Sequence, residues 1–305
     1  MKIATTIGEM YAYTAMNPAE AVRMYEGTGF RYLDCSFYNV LNPGHRFMTD
    51  EWKEQVTEAG EAAAKLGMKF VQAHSPNYNP LRDPADEAYH TAGLEASLRS
   101  IEACGMLGIP NIVIHTGYSL DYTYPTDKEA YFKANEPFLR ALIPAMEKWN
   151  VTVCIENSAE GNMGPRYFFM SGQDMNDFID FMGHPLLGGC WDIGHGHMRN
   201  IPLHDELVSL GKNLTAVHIH DNNGIADEHI APFFGTIDMD SVMQGLIDAD
   251  YKGYFTFESD GFLPCRPTHG TGKLNCPPIA VKRAALAMLY QIGKSCLEAY
   301  GLFEE

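Results

Sequence analysis

The stretch LLGGCWDIGHGHM, Leu186–Met198, is a short apolar run that ends in an aspartate followed by two histidines. Its apolar half has the length and composition of one buried strand. Its polar half sets Asp192, His195 and His197 where that strand gives out. The same unit recurs along the chain. KIATTI (2–7), YLDCS (32–36), KFVQAH (69–74), NIVIH (111–115), VTVCIEN (151–157), LTAVHIH (214–220) and YFTFES (254–259) are further strand-like runs. Amphipathic segments such as DEWKEQVTEAGEAAAKLG, EAYHTAGLEASLRSIEACGMLG, EPFLRALIPAMEKWN and DMDSVMQGLIDADYKG lie between them, with a last helix around 277–299. Gly67 and Gly108 close two of these segments as helix-terminating glycines do.

Eight strand–helix units in strict alternation predict a parallel sheet, and their number favours a closed (β/α)8 barrel, an α/β fold of the TIM type. An open doubly wound sheet is the competitor, but no GxGxxG follows the first strand. The 305 residues suit one such barrel, which typically needs about 250. No linker rich in Pro, Gly or Ser divides them, so one domain is expected over residues 1–305.

Bulk properties narrow the function. A net charge of −17, from 22 basic and 39 acidic residues, sets nucleic acid at a disadvantage, because phosphate binding relies on clustered Lys and Arg. No run approaches the ~20 apolar residues of a membrane span, and MKIATTIGEMYAYTAM has no continuous apolar block like a signal peptide's. The seven cysteines are scattered and never form CxxC. Reduced thiols in a cytoplasmic protein are therefore expected, not a disulfide frame or a zinc ribbon.

The chemistry gathers at the strand ends. His74 ends the third strand, His115 the fourth, Glu156 the fifth, Asp192 the sixth and Glu258 the eighth, and His218 lies in the seventh. A single strand-end histidine is more often a hydrogen-bonded bystander than a ligand. The set is different: in a barrel these ends converge, and clustered carboxylates in a desolvated cleft are costly unless a cation compensates. Carboxylates and imidazoles suit manganese, magnesium, cobalt or zinc. In DIGH, Asp192 can bind the ion while His195 points into the same pocket. HIHD sets His218 and His220 on one strand face, so one of them is expected to be a ligand. Asp227 and His229 follow in a loop leading to PFFGTID, whose spacing suggests a fold over the pocket.

AHSP, IHTG, IEN, WDIGH, VHIHDN, DEHIAPFFGTID and FES together resemble the xylose isomerase-like barrel superfamily. That group joins sugar and sugar-phosphate isomerases and epimerases with endonuclease IV-type AP endonucleases. The resemblance implies Glu156, Asp192, His218 and Glu258 as the shared metal ligands. It implies His74, His115, His195, Asp227 and His229 as the further positions with which AP endonucleases hold three zinc ions. It also implies association into a homo-oligomer. One departure is PFFGTID, where Phe233 and Phe234 replace a glycine and an acid; two aromatics favour a ring-shaped or apolar substrate face.

The expected activity is isomerisation or epimerisation of a keto sugar, polyol or related carbohydrate. A divalent ion would stabilise an enediolate while Glu156 and Glu258 exchange the proton. His195 is expected to hold a substrate oxygen, His74 and His115 outer hydroxyls, and Arg199 a charged group. Two alternatives use the same residues. One is a zinc phosphodiesterase acting on abasic DNA; the other is a metal-dependent lyase or dehydratase acting on oxidised sugars or glycosides.

Overall fold

The computed structural model describes residues 1–265, 272 and 274–305. Its strands are β1 Ile3–Thr6, β2 Tyr32–Ser36, β3 Lys69–His74, β4 Asn111–Ile114, β5 Thr152–Glu156, β6 Leu187–Asp192, β7 Leu214–His218 and β8 Phe255–Phe257. Each falls inside an expected run, shortened mainly where the polar ends leave the ladder. All pairings are parallel, in the order β7-β6-β5-β4-β3-β2-β1-β8. The sheet closes where the Ile219 N–H donates to Thr256 O (2.8 Å) and the Glu258 N–H to Ile219 O (3.1 Å). This is a single-domain TIM barrel.

Helices between the strands bury their apolar faces on the outside of the barrel. Glu87–Leu107 ends on Gly108 at φ +68°, the left-handed position that glycine adopts without penalty. The helix before β5 differs from the sequence expectation. It starts at Lys128 and runs through Pro137 and Pro144 to Trp149, held by a buried face that includes Tyr131, Phe132, Phe138 and Leu142. Tertiary burial there outweighs the backbone bonds that the prolines delete. Among the described residues, no helix is long and apolar enough to cross a membrane.

The thiol expectation is corrected. Five cysteines are free and buried, but Cys265 and Cys276 form a disulfide. The two lie in the chain between β8 and the last helix, a pairing that scattered spacing in sequence does not reveal.

Side chains alternate along a strand, so the barrel interior is read two residues at a time. Val113, Cys154, Cys190 and Ala216, from β4 to β7, pack as one small apolar cluster. Two residues further on stand His115, Glu156, Asp192 and His218. On the other half, Asp34, Gln72 and Thr256 of β2, β3 and β8 precede Ser36, His74 and Glu258. Thr256 Oγ1 donates to Gln72 Oε1 at 3.4 Å, while neither Asp34 oxygen has a hydrogen-bond partner among the described residues. Burial pushes the Asp34 carboxyl up to about 6, although His218 and His74 pull it down.

A buried ion pair braces the barrel at its C-terminal face. Lys282, on the helix Ile279–Ala299, donates to Glu9 Oε2 (3.2 Å) and to Phe262 O (2.7 Å), and Thr5 Oγ1 donates to Glu9 Oε1 (3.0 Å). It ties the turn after β1 to the turn after β8.

Lys282→Met strands the Glu9 charge, and the expected loss is roughly 3–5 kcal/mol in urea unfolding, since a buried charge without its partner stays uncompensated. Asp34 has the opposite sign. Its folded pKa lies above the unfolded one, so stability is fully present below about pH 4 and declines as pH rises toward about 6. In chelator-treated protein, wild type is expected to lose about 3 kcal/mol more than Asp34→Asn between about pH 4 and pH 7. Equal losses in the two proteins would remove Asp34 as the cause.

Candidate metal centre

Glu156 lies at the centre of the mouth and is fully buried. Its Oε1 is 2.6 Å from His218 Nδ1 and its Oε2 is 2.7 Å from His115 Nε2. Glu258 approaches the same His218 nitrogen from β8, with Oε2 at 3.2 Å. His74 Nε2 stands 3.7 Å from Glu156 and 3.9 Å from Glu258. One oxygen or nitrogen from each of Glu156, Asp192, His218 and Glu258 falls within 4.8 Å of the others, so four expected ligands meet. His74, His115 and Glu156 make a second such group.

Asp192 faces two ways. Its Oδ1 accepts from the His195 N–H (2.7 Å) and caps the helix Ile193–Met198, while its Oδ2 lies 3.0 Å from His220 Nε2. Gly194 makes the latter contact possible: a Cβ there would stand 1.9 Å from the His220 ring. Asn157, the last residue of IEN, holds Asp192 through both backbone groups, at 2.6 and 2.9 Å. The loop after β7 is fixed by Asp221, whose carboxylate accepts from the N–H groups of Asn222, Phe233, Gly235 and Ile237. His197 braces the same loop through Thr236 Oγ1 at 2.9 Å. The loop carries Asp227 and His229 to the rim, where His195, His220, Asp227 and His229 form a further donor group.

These groups are tuned for positive charge between them. Burial raises the Glu156 pKa, but His218 and His115 more than offset it and hold the carboxyl well below its usual range. Glu258 and Asp227 are likewise depressed against their burial, by His218 and by His195 respectively. Burial alone would lower the imidazoles, yet Asp192 and Asp227 raise His195 to about 10. His74 Nδ1 donates to Ser75 O (3.0 Å) and His195 Nδ1 to Asn157 O (2.9 Å). A carbonyl can only accept, so these bonds leave Nε2 facing carboxylate oxygens. That contact needs a proton or a metal cation between the two, which is how metal-binding histidines are oriented. The donors therefore fit a divalent ion.

The cavity over the ring measures about 430 Å³ and is lined by Tyr38, Asn39, Asn77, Tyr118 and Ser158 besides the strand ends. Ser158 Oγ is buried without a hydrogen-bond partner among the described residues. Three expected substrate contacts lie elsewhere. Arg199 donates to Met170 O and stacks on Tyr124. Phe234 packs on Phe262, and Phe233 projects into solvent at 66% exposure. The Asp221 clamp turns both aromatics outward. Trp191 and Trp52 are core residues. Sequence reasoning passed over Asn157 as a positioning group, and left open which histidine of HIHD is a ligand although both face carboxylates.

The likeness to known proteins is broad. The family described as xylose isomerase-like TIM barrel matches residues 23–290. An uncharacterised Sinorhizobium fredii protein is 27% identical over 175 residues, 55% of this chain and 53% of its own length. Fructoselysine 3-epimerase of Escherichia coli O157:H7 is 28% identical over 88 residues, 29% of this chain and 32% of its own length. The chain thus spans about half the length of the first of these curated relatives and about a third of the second. Among solved structures, a D-tagatose 3-epimerase-like protein superposes with TM-score 0.69 at 17% identity, over 97% of this chain and 99% of that one. The 3-keto-D-glucoside 4-epimerase of E. coli superposes with TM-score 0.68 at 20% identity, over 95% and 99%. At such identities the superpositions speak for the fold. The chain belongs to the xylose isomerase-like TIM barrel family.

Proposed function

We propose that this chain is a divalent-metal-dependent epimerase or isomerase of a keto sugar or related carbohydrate. The observation that carries the reading is the pair Glu156 and Glu258, which reach the same His218 nitrogen from β5 and β8, at 2.6 and 3.2 Å. A manganese, magnesium, cobalt or zinc ion held by Glu156, Asp192, His218 and Glu258 would supply Lewis-acid polarisation of adjacent substrate oxygens and so acidify the intervening C–H.

The side chains do the rest. Glu258, the more open of the pair at 19% side-chain exposure against 1%, meets the substrate carbon from the cavity side. Glu156 faces it from β5. With both carboxyls held ionised, one would take the proton from the carbon; the other, protonated by solvent reaching it through the cavity, would deliver a proton to the opposite face, and the first would pass its proton back to solvent. Tyr38, Asn39, Asn77 and Tyr118 offer hydroxyl and amide groups to sugar hydroxyls around the rim. The names of the relatives, a fructoselysine 3-epimerase, a D-tagatose 3-epimerase-like protein and a 3-keto-D-glucoside 4-epimerase, support this chemistry.

A second reading, phosphodiester hydrolysis at a three-zinc centre, is favoured by one observation, the additional donor group of His74, His115 and Glu156.

Metal-loaded protein incubated in D2O with ketohexoses and keto-glycosides is expected to incorporate deuterium at the reacting carbon. Glu258→Gln should slow that exchange by roughly 10²–10⁴-fold, the usual worth of general acid–base assistance. Chelation should abolish it, and added manganese or cobalt should restore it. Cleavage of an abasic duplex without any exchange would favour the hydrolytic reading, and a β-elimination product would make the chain a lyase.

A further inference from the structure

Glu156, Asp192, His218 and Glu258 stand on the β5 to β8 side of the mouth, and the other side is built differently. There the loops after β2, β3 and β4 carry Tyr38, Asn39, Asn77 and Tyr118 into the cavity lining, two to four residues past their strand ends. They form a wall that rises above the ring of acids. The Tyr38 ring stands edge-on to His74, with centroids 5.6 Å apart. Arg166 stacks on the Tyr118 ring at 5.9 Å and donates to Met163 O at 3.1 Å.

The wall is fixed through its backbone. The Asn77 N–H donates to Tyr38 O at 3.0 Å, which joins the β2 loop to the β3 loop. Asn79 holds Tyr118 by both backbone groups, accepting from its N–H at 3.0 Å and donating to its carbonyl at 2.9 Å. Asn135, completely buried on the helix Lys128–Trp149, does the same to Gly117, at 2.6 and 3.3 Å. Gly117 is itself packed too closely for a side chain, since a Cβ there would stand 2.6 Å from Leu81. The side chains of the wall are left free. No hydrogen bond among the described residues uses the Tyr38 or Tyr118 hydroxyl or the Asn39 or Asn77 amide. A fixed backbone presenting unpartnered polar side chains is how a preorganised binding surface is built.

The chemistry of the four selects what they hold. Two aromatic rings offer apolar faces with a polar tip, and two amides offer donors and acceptors to hydroxyls. An apolar group set against Asn39 and Asn77 would strand their amides, and an anion would find no positive charge among the four side chains. The cavity of about 430 Å³ lies within the ~300–1,000 Å³ of drug-sized ligand sites, so it has room beyond one hexose at the acids. We infer that the substrate is a keto sugar bearing a second, uncharged sugar ring. The reacting ring is seated at Glu156 and Glu258, and the second is held by Tyr38, Asn39, Asn77 and Tyr118. The inference rests on the epimerase or isomerase reading for the first ring. Contacts to the second ring, far from the reacting carbon, raise kcat/KM for a disaccharide over a free ketose.

Deuterium exchange by the metal-loaded protein tests this with D-fructose, D-fructose 6-phosphate and the keto-disaccharides lactulose, maltulose, isomaltulose and 3-ketosucrose. At least one disaccharide is expected to exceed fructose ~10-fold or more in kcat/KM, the worth of one or two well-placed hydrogen bonds. Asn77→Ala and Tyr118→Phe should each cut the disaccharide-to-fructose ratio at least ~5-fold, the loss of one such bond. Parity between fructose and every disaccharide, preference for the phosphate, or a ratio that neither variant moves overturns the inference. If no sugar exchanges at all, calorimetry decides without turnover. Sucrose, maltose, lactose or trehalose binding at least ~10-fold more tightly than methyl glucoside, with the advantage lost in Asn77→Ala, leaves the second-ring site standing while the epimerase reading falls. Failure of all four to bind more tightly than methyl glucoside overturns the site as well.

Discussion

The structure depends on the electrostatic bargain struck around Glu156. A carboxylate without solvent is costly, and here it stands among Asp192, Glu258 and, one layer lower, Asp34. Four acids in so small a volume are tolerable only beside positive charge. His218 and His74, whose pKa values are raised, provide part of it and, with His115, orient the acids around a common centre. The fixed imidazoles orient their free nitrogens as metal-binding histidines do, so the centre fits a cation.

The barrel makes that gathering possible because parallel strands bring their inward residues side by side in a staggered register. Asp192 pairs in register with His218, while Glu156 is level with Cys190, so Asp192 and His218 stand one inward step above Glu156. Below them the small side chains of Val113, Cys154, Cys190 and Ala216 fill one half of the interior. The opposite half is polar. Among the described residues, its Asp34 carboxylate and the Gln72 amide nitrogen have no hydrogen-bond partner, a desolvation cost that an apolar layer would avoid. That half lies directly under His74 and Glu258.

The fold was legible because buried parallel strands read as short apolar runs, and a polar residue stands out at the end of each. LLGGCWD and VTVCIEN marked both their strands and the height of Asp192 and Glu156. That Glu156, Asp192, His218 and Glu258 meet follows from the same alternation, while their naming as metal ligands comes from the resemblance of IEN, WDIGH, VHIHDN and FES to the family. What could not be read were the facts set by loops. Phe233 and Phe234 look like a pocket lid in sequence, but their direction is decided by four N–H groups converging on Asp221. Arg199 follows the GHGHM segment closely yet is drawn away by Met170 O. The Cys265–Cys276 pairing depends on the path of the chain after β8, which no local pattern encodes.

The closing seam has a consequence for motion. Seven strand pairs are joined by ladders, two of them with a register shift, but β7 and β8 meet through two backbone bonds, and one donor is the backbone of Glu258 itself. His218 lies on one stave beside the gap and Glu258 on the other. Any breathing of the barrel at its weakest joint therefore changes the spacing between them before it disturbs Glu156, which is embedded three staves from β8. Looseness of the seam and the spacing of His218 from Glu258 share a coordinate here, and the amide protons of Ile219 and Glu258 are natural gauges of both.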